Sequence, residues 1–150
     1  MGKGDSELVS EVDTPVKASH VMYAGLDAWM PVEGAVILGL RRAGSDSLAE
    51  TSAPVLNWIA DQGVVHLAIH FDVDVLDLAK FGPVLFNKPN APADAWADVP
   101  RGRMSPDHVV RLLQDVAAAC DVVGLAIAEY MPWEAITMHN MLRKLPLLSG

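Results

Sequence analysis

Apolar positions along this chain fall into short runs that alternate between two periods. The longest run, Val64-Val65-His66-Leu67-Ala68-Ile69-His70-Phe71, is β-branched and nearly continuous. It predicts a strand buried on both faces of a parallel sheet. Asp121 to Glu129 (Asp-Val-Val-Gly-Leu-Ala-Ile-Ala-Glu) predicts a second such strand, and His20 to Leu26 a short third one. Between the strands the period lengthens to that of a helix. Val32, Val36, Ile37 and Leu40 share one stripe over Pro31 to Leu40, with Pro31 suited to a first turn. Val55, Trp58 and Ile59 do the same over Ala53 to Asp61, with Gly63 as the stop. Val109, Leu112, Leu113, Val116 and Ala117 keep the helical period up to Cys120, behind a Ser105-Pro106-Asp107 start. Pro132 opens a last helix with Ile136, Met138, Met141, Leu142 and Leu145 inward, and Arg41 to Gly44 reads as a brief edge strand.

Two stretches carry no period. Residues 1–16 are short and charged and read as a disordered tail, leaving 17–150 as the folded part. Phe81 to Met104 is proline-rich and long, the kind of loop that a compact domain keeps for function or leaves disordered. Strands alternating with helices predict an α/β fold, three-layer α/β/α, with a mainly parallel sheet.

Composition narrows the function classes. The 150 residues are 51% hydrophobic and 20% charged, enough to bury a core in one domain. A net charge of −8 argues against nucleic acid or an anionic membrane as partner. Cys120 is the single cysteine, so neither an internal disulfide nor a thiolate zinc site can form, and its place at the end of an apolar helix points to an inert thiol. With no signal peptide and no apolar run of transmembrane length, a cytoplasmic protein is expected.

The chemistry is concentrated where strands end. Asp72, Asp74 and Asp77 follow the long apolar run, and Glu129 closes the second. In a parallel α/β sheet ligands gather at the carboxyl ends of strands. Residues i and i+2 of a strand share a face, so Asp72 and Asp74 can aim at one point. Like charges that close repel unless a cation lies between them, and a hard divalent metal suits oxygen donors. The alternative reading is a loop that opens with solvated aspartates.

These residues resemble the ureohydrolases, the arginases, agmatinases and their relatives. His70-Phe71-Asp72-Val73-Asp74-Val75-Leu76-Asp77 is similar to a metal motif of that family, a strand running into Asp-x-Asp-x-x-Asp. Glu129-Tyr130-Met131-Pro132 is similar to its Glu-Val-Asn-Pro motif. The resemblance implies an arginase-like fold and two Mn2+ ions that supply hydroxide for attack on a guanidinium carbon, releasing urea. Asp72 and Asp74 would be metal ligands and Glu129 would receive the substrate guanidinium. His70 and Asp77 would stand behind the ligands, and Asp77 can equally serve as a turn-former.

The sequence departs from the family at Leu78, at Gly102-Arg103-Met104 and at Tyr130-Met131, which bears on the choice of guanidino compound. Neither a Gly-Gly-Asp-His nor an Asp-Ala-His-x-Asp segment occurs here, although these supply most of the family's metal-binding side chains and its proton-shuttle histidine. The resemblance is therefore to the C-terminal half of the fold. It implies a partner, either the missing N-terminal half or a second copy, that caps an open apolar edge. Two other functions stay open. One is a non-catalytic homologue serving as an assembly module. The other is a phosphotransferase of the haloacid-dehalogenase type, which wants Thr or Val at the position of Leu76 and its motif near the chain start.

Among the remaining residues, His66 shares the strand face of His70, while His108 and His139 are expected in helices as surface or helix-packing residues. Trp58 and Trp133 are expected as core anchors, Trp29 and Trp96 at a pocket or interface, and Arg101 and Arg103 as solvated loop arginines, with contact to a substrate carboxylate the second reading.

Overall fold

The computed structural model describes residues 5–25, 39–92, 94–96 and 102–148. The helix expected over Pro31–Leu40 falls on residues 31–38, outside the described residues, as do Trp29 and Arg101. The described elements run α1 (Ser6–Ser10), β1 (Met22–Ala24), β2 (Arg41–Ala43), α2 (Ser45–Glu50), α3 (Ala53–Gln62), β3 (His66–Asp72), α4 (Pro106–Ala119), β4 (Asp121–Ala128) and α5 (Ala135–Leu142). The architecture is α/β with parallel strands. β1 pairs with β2, and β3 pairs with β4. α1 buries none of its residues.

Local chemistry sets the helix ends where the sequence placed them. α3 stops at Gly63, which takes the left-handed conformation (φ 60°) that costs a glycine nothing. α4 starts at Ser105, whose Oγ accepts from the His108 N–H while His108 Nδ1 accepts from the Ser105 N–H, a reciprocal cap. The last helix begins at Ala135 rather than Pro132, because Met131 first donates its N–H to the Pro83 carbonyl. Ile136 is then turned outward, 72% exposed, and Trp133 is 39% exposed instead of anchoring the core.

The core lies on one side of the β3–β4 pair. Leu67, Ile69 and Phe71 of β3 and Val122, Leu125 and Ile127 of β4 face it. There they meet Val109, Leu112, Leu113 and Val116 of α4 and Leu145 beyond α5. Polar clasps hold the helices in place. Ser52 Oγ donates to Asp115 (2.6 Å), Arg111 donates to the Leu48 and Ala49 carbonyls at the end of α2, and Trp58 Nε1 donates to the Ser19 carbonyl (2.8 Å).

The other face is open. His66, Ala68 and His70 of β3 and Asp121, Val123 and Ala126 of β4 are all exposed. The expectation of strands buried on both faces is thus corrected: each alternates, one side toward α4 and one side toward water. An irregularity between Leu67 and Ala68 in the pairing pushes Val123 out of register, where it is 61% exposed.

Candidate functional site

At the carboxyl end of β3 the strand turns sharply. Val73–Val75 form a single 3₁₀ turn capped by Asp72, whose carboxylate accepts the Asp74 N–H at 2.9 Å. Val73 and Leu76 are fully buried and pin the turn to the core. Asp74 therefore belongs to the turn and not to the strand. It reaches the Asp72 side through the capped turn, not through the i, i+2 alternation that the sequence suggests. The physical reason is the aspartate itself, which competes for backbone N–H groups and ends strands.

The register brings in the other carboxylate. Asp72 lies opposite Ala128, so Glu129 follows directly at the tip of the neighbouring strand. Glu129 takes a left-handed backbone conformation (φ 62°), rare for a residue with a Cβ. The chain there leaves β4 to make the antiparallel Tyr130–Val84 bridge. Backbone held in so sparsely populated a region marks a place where geometry outweighs local comfort.

The three charges interact. The Asp74 carboxyl is raised to about 6, first by burial, then by the neighbouring Asp72 and Glu129 carboxylates. Its Oδ1 is buried and has no hydrogen-bond partner. Because the folded value lies above the ordinary one of about 3.9, folding takes up a proton here. The ionised carboxylate opposes folding, with a penalty absent below about pH 4 and complete above about pH 6. A cation bound at the turn would remove that penalty.

The fit to a divalent metal is partial. Asp72 and Asp74 offer hard oxygen donors and one buried, unshared lone-pair oxygen, which suits such an ion. Among the described residues, however, no group of three or more His, Cys, Asp or Glu side chains is disposed to hold one.

The other candidate residues are placed as follows. His70 is exposed on the open face of β3, two residues before Asp72. His66, at the far end of the strand, pairs through Nδ1 with Asp121 at 3.1 Å. Asp77 forms a turn, accepting from the Ala79 N–H (2.9 Å) and pairing with Lys80 (3.4 Å). His139 is exposed, and Arg103 pairs with Asp46 at 3.2 Å. Trp96 packs edge-on against Phe86, ring centres 5.9 Å apart. The Cys120 thiol is shifted upward by burial and by Asp121, which makes it a poor nucleophile. His108 lies in the first turn of its helix and closes the cap on Ser105, a role that the Ser-x-x-His spacing allowed but that the usual Ser-x-x-Glu pattern conceals. Gly102, unremarked as a glycine in sequence, lies against the Asp74 turn.

Together these features define an arginase-like α/β fold, present in part, with carboxylates gathered at the ends of two adjacent parallel strands. Helicobacter pylori arginase has this fold (TM-score 0.65, 16% identity), matched over 91% of this chain and 46% of that one. So does Entamoeba histolytica arginase in complex with L-ornithine (TM-score 0.61, 21% identity, 94% of this chain and 46% of that one). Proclavaminate amidino hydrolase from Streptomyces clavuligerus is a third (TM-score 0.60, 17% identity, 86% and 40%). The chain spans less than half the length of these structures. No family model matches it, and neither does any curated protein. Among the described residues no helix is long and apolar enough to cross a membrane.

Proposed function

We propose that this chain carries part of the site of a ureohydrolase-type enzyme, one that hydrolyses a guanidino compound. The complete site would hold two Mn2+ ions. Asp72 and Asp74 would hold them, and the metal would supply hydroxide near neutral pH. Glu129, at the same rim, is an acceptor for the planar fork of donors that a guanidinium presents. Asp72 also holds the turn through its cap on the Asp74 N–H, which fixes where Asp74 stands. The remaining ligands come from a partner unit, which covers the open face of β3–β4 and completes the sheet.

The observation that carries this reading is the buried, unpaired Asp74 Oδ1, whose carboxyl is raised to about 6 by burial and by the Asp72 and Glu129 carboxylates. An organic cation or a metal is what such a cluster attracts. Titration of the chain alone with Mn2+ in a calorimeter is the test. The expected result is weak binding, with a Kd on the order of 1 mM, abolished in Asp74→Asn. Tight binding of two ions by the chain alone would contradict the incomplete site, and no heat at all would remove the metal reading.

A second reading, a non-catalytic assembly module, is favoured by the exposed sheet face at Val123 and Ala126. It differs in needing the partner but not the metal.

A further inference from the structure

The segment leading into α4 folds back over the acidic turn and is hydrogen-bonded to it along its length. The Gly102 N–H donates to the Asp74 carbonyl (2.8 Å) and the Met104 N–H to the Val75 carbonyl (3.1 Å). In return the Asp77 N–H donates to the Met104 carbonyl (2.8 Å), and Leu76 and Met104 form a parallel bridge. Residues 102–104 are in effect a strap lying on the backbone of residues 74–77.

The strap lies so close that one of its residues has no room for a side chain. A methyl group on Gly102 would stand 1.9 Å from both the carbonyl carbon and the oxygen of Val75, and 2.2 Å from its Cα. These are backbone atoms and cannot swing aside. Gly102 is not in the left-handed region, so the demand is for space and not for conformational freedom. Gly25 also lies close to both strap and turn: a Cβ there would lie 3.1 Å from Met104 Sδ and 3.3 Å from Val75 Cβ. At Gly82 a Cβ would meet only the end of the Glu134 side chain, which can swing aside. Gly124, on β4, faces open space.

We propose that Gly102 is a positioning residue for the candidate site. Lacking a side chain, it lets the strap seat on residues 74–77, and this fixes where the Asp74 carboxylate stands relative to Asp72 and Glu129. The inference deepens the metal-site reading above and rests on it for the purpose of that geometry, but the geometry can be tested without it. In Gly102→Ala the strap must retreat by at least an ångström to clear Val75. The Asp74 carbonyl then loses its donor, and the turn relaxes away from the tip of β4.

The test is amide NMR on the full chain. Gly102→Ala is expected to move the resonances of residues 72–77 and of Glu129. Exchange at the Met104 and Asp77 amides should rise about tenfold or more, while α3 and the last turns of α4 stay unmoved. Gly124→Ala, the same chemical change in open space, should leave the turn where it is. A general loss of packing would move α3 and α4 too, and would overturn the proposal, as would a folded Gly102→Ala whose turn amides are unchanged. If Gly102→Ala does not fold, Gly25→Ala presses on Met104 Sδ and Val75 Cβ from 3.1 and 3.3 Å and also strains a left-handed backbone (φ 91°) at residue 25 itself. It is expected to shift the same turn residues by less, and no shift there would also overturn the proposal. Adding Mn2+ separates the two ideas. Broadening at Asp72 and Asp74 that is lost in Gly102→Ala supports both. Its absence in the unaltered chain sinks the metal reading, while the amide shifts still decide the strap.

Discussion

At the level of single residues, the site is a compromise between stability and arrangement. Glu129 keeps a left-handed backbone that glycine would adopt without strain, and it adds a negative charge beside Asp74. Replacing Glu129 by Gly removes both penalties, offset in part by the greater freedom of an unfolded glycine. Glu129→Gly should raise stability by up to about 1 kcal/mol in urea unfolding, and it deletes the carboxylate that the proposed substrate needs. A loss of stability of similar size would mean that the Glu129 side chain holds the fold together instead. The acidic residues themselves were legible in the sequence, since Asp72, Asp74 and Glu129 stand just where apolar runs end. What was not legible was their backbone setting. A 3₁₀ turn capped by Asp72 and a left-handed Glu129 depend on the strap and on the Tyr130–Val84 bridge, both made by residues far along the chain.

Elements with strong local signals appear where the sequence puts them. Gly63 ends α3 by its φ, Val55, Trp58 and Ile59 turn inward together, and Ser105 with Pro106 starts α4. The Ser105–His108 cap satisfies helix N–H groups that have no partner within the helix. Ser105→Ala should cost about 1 kcal/mol in thermal or chemical unfolding, and unchanged stability would show that the cap is idle. Elements governed by distant contacts were read less well. Pro132 is a favourable first helical residue, yet the backbone there is committed to the Pro83 carbonyl through Met131, so α5 begins later and Trp133 and Ile136 face outward. The stretch from Phe81 to Met104 has no period, yet several of its described residues belong to the core. Phe81, Pro83, Val84 and Met104 are buried, and Val84 and Met104 bridge to Tyr130 and Leu76 just beyond the strand ends.

At the scale of the molecule, α4 covers one side of the parallel strands β3 and β4, and among the described residues the other side is exposed. Parallel strands are ordinarily covered on both faces, and a run such as Val64 to Phe71 has the composition for it. The sequence therefore describes a more complete sheet than the described residues form, which agrees with a chain spanning less than half of the arginase structures it resembles. The fold class could be read from the alternation of periods. The one-sided cover could not, because an apolar run looks the same whether its second neighbour is in the chain or elsewhere.

All of this depends on the Asp72 and Glu129 carboxylates standing near enough to Asp74 to help hold its proton. The most direct measurement is an NMR titration of the Asp74 side-chain carboxyl in the unaltered chain and in Glu129→Gln. The account predicts a midpoint near 6 in the first and a lower one in the second, because the Glu129 charge is part of what holds the Asp74 proton. An Asp74 that titrates near 3.9 like an ordinary aspartate, with no response to Glu129→Gln, would contradict it.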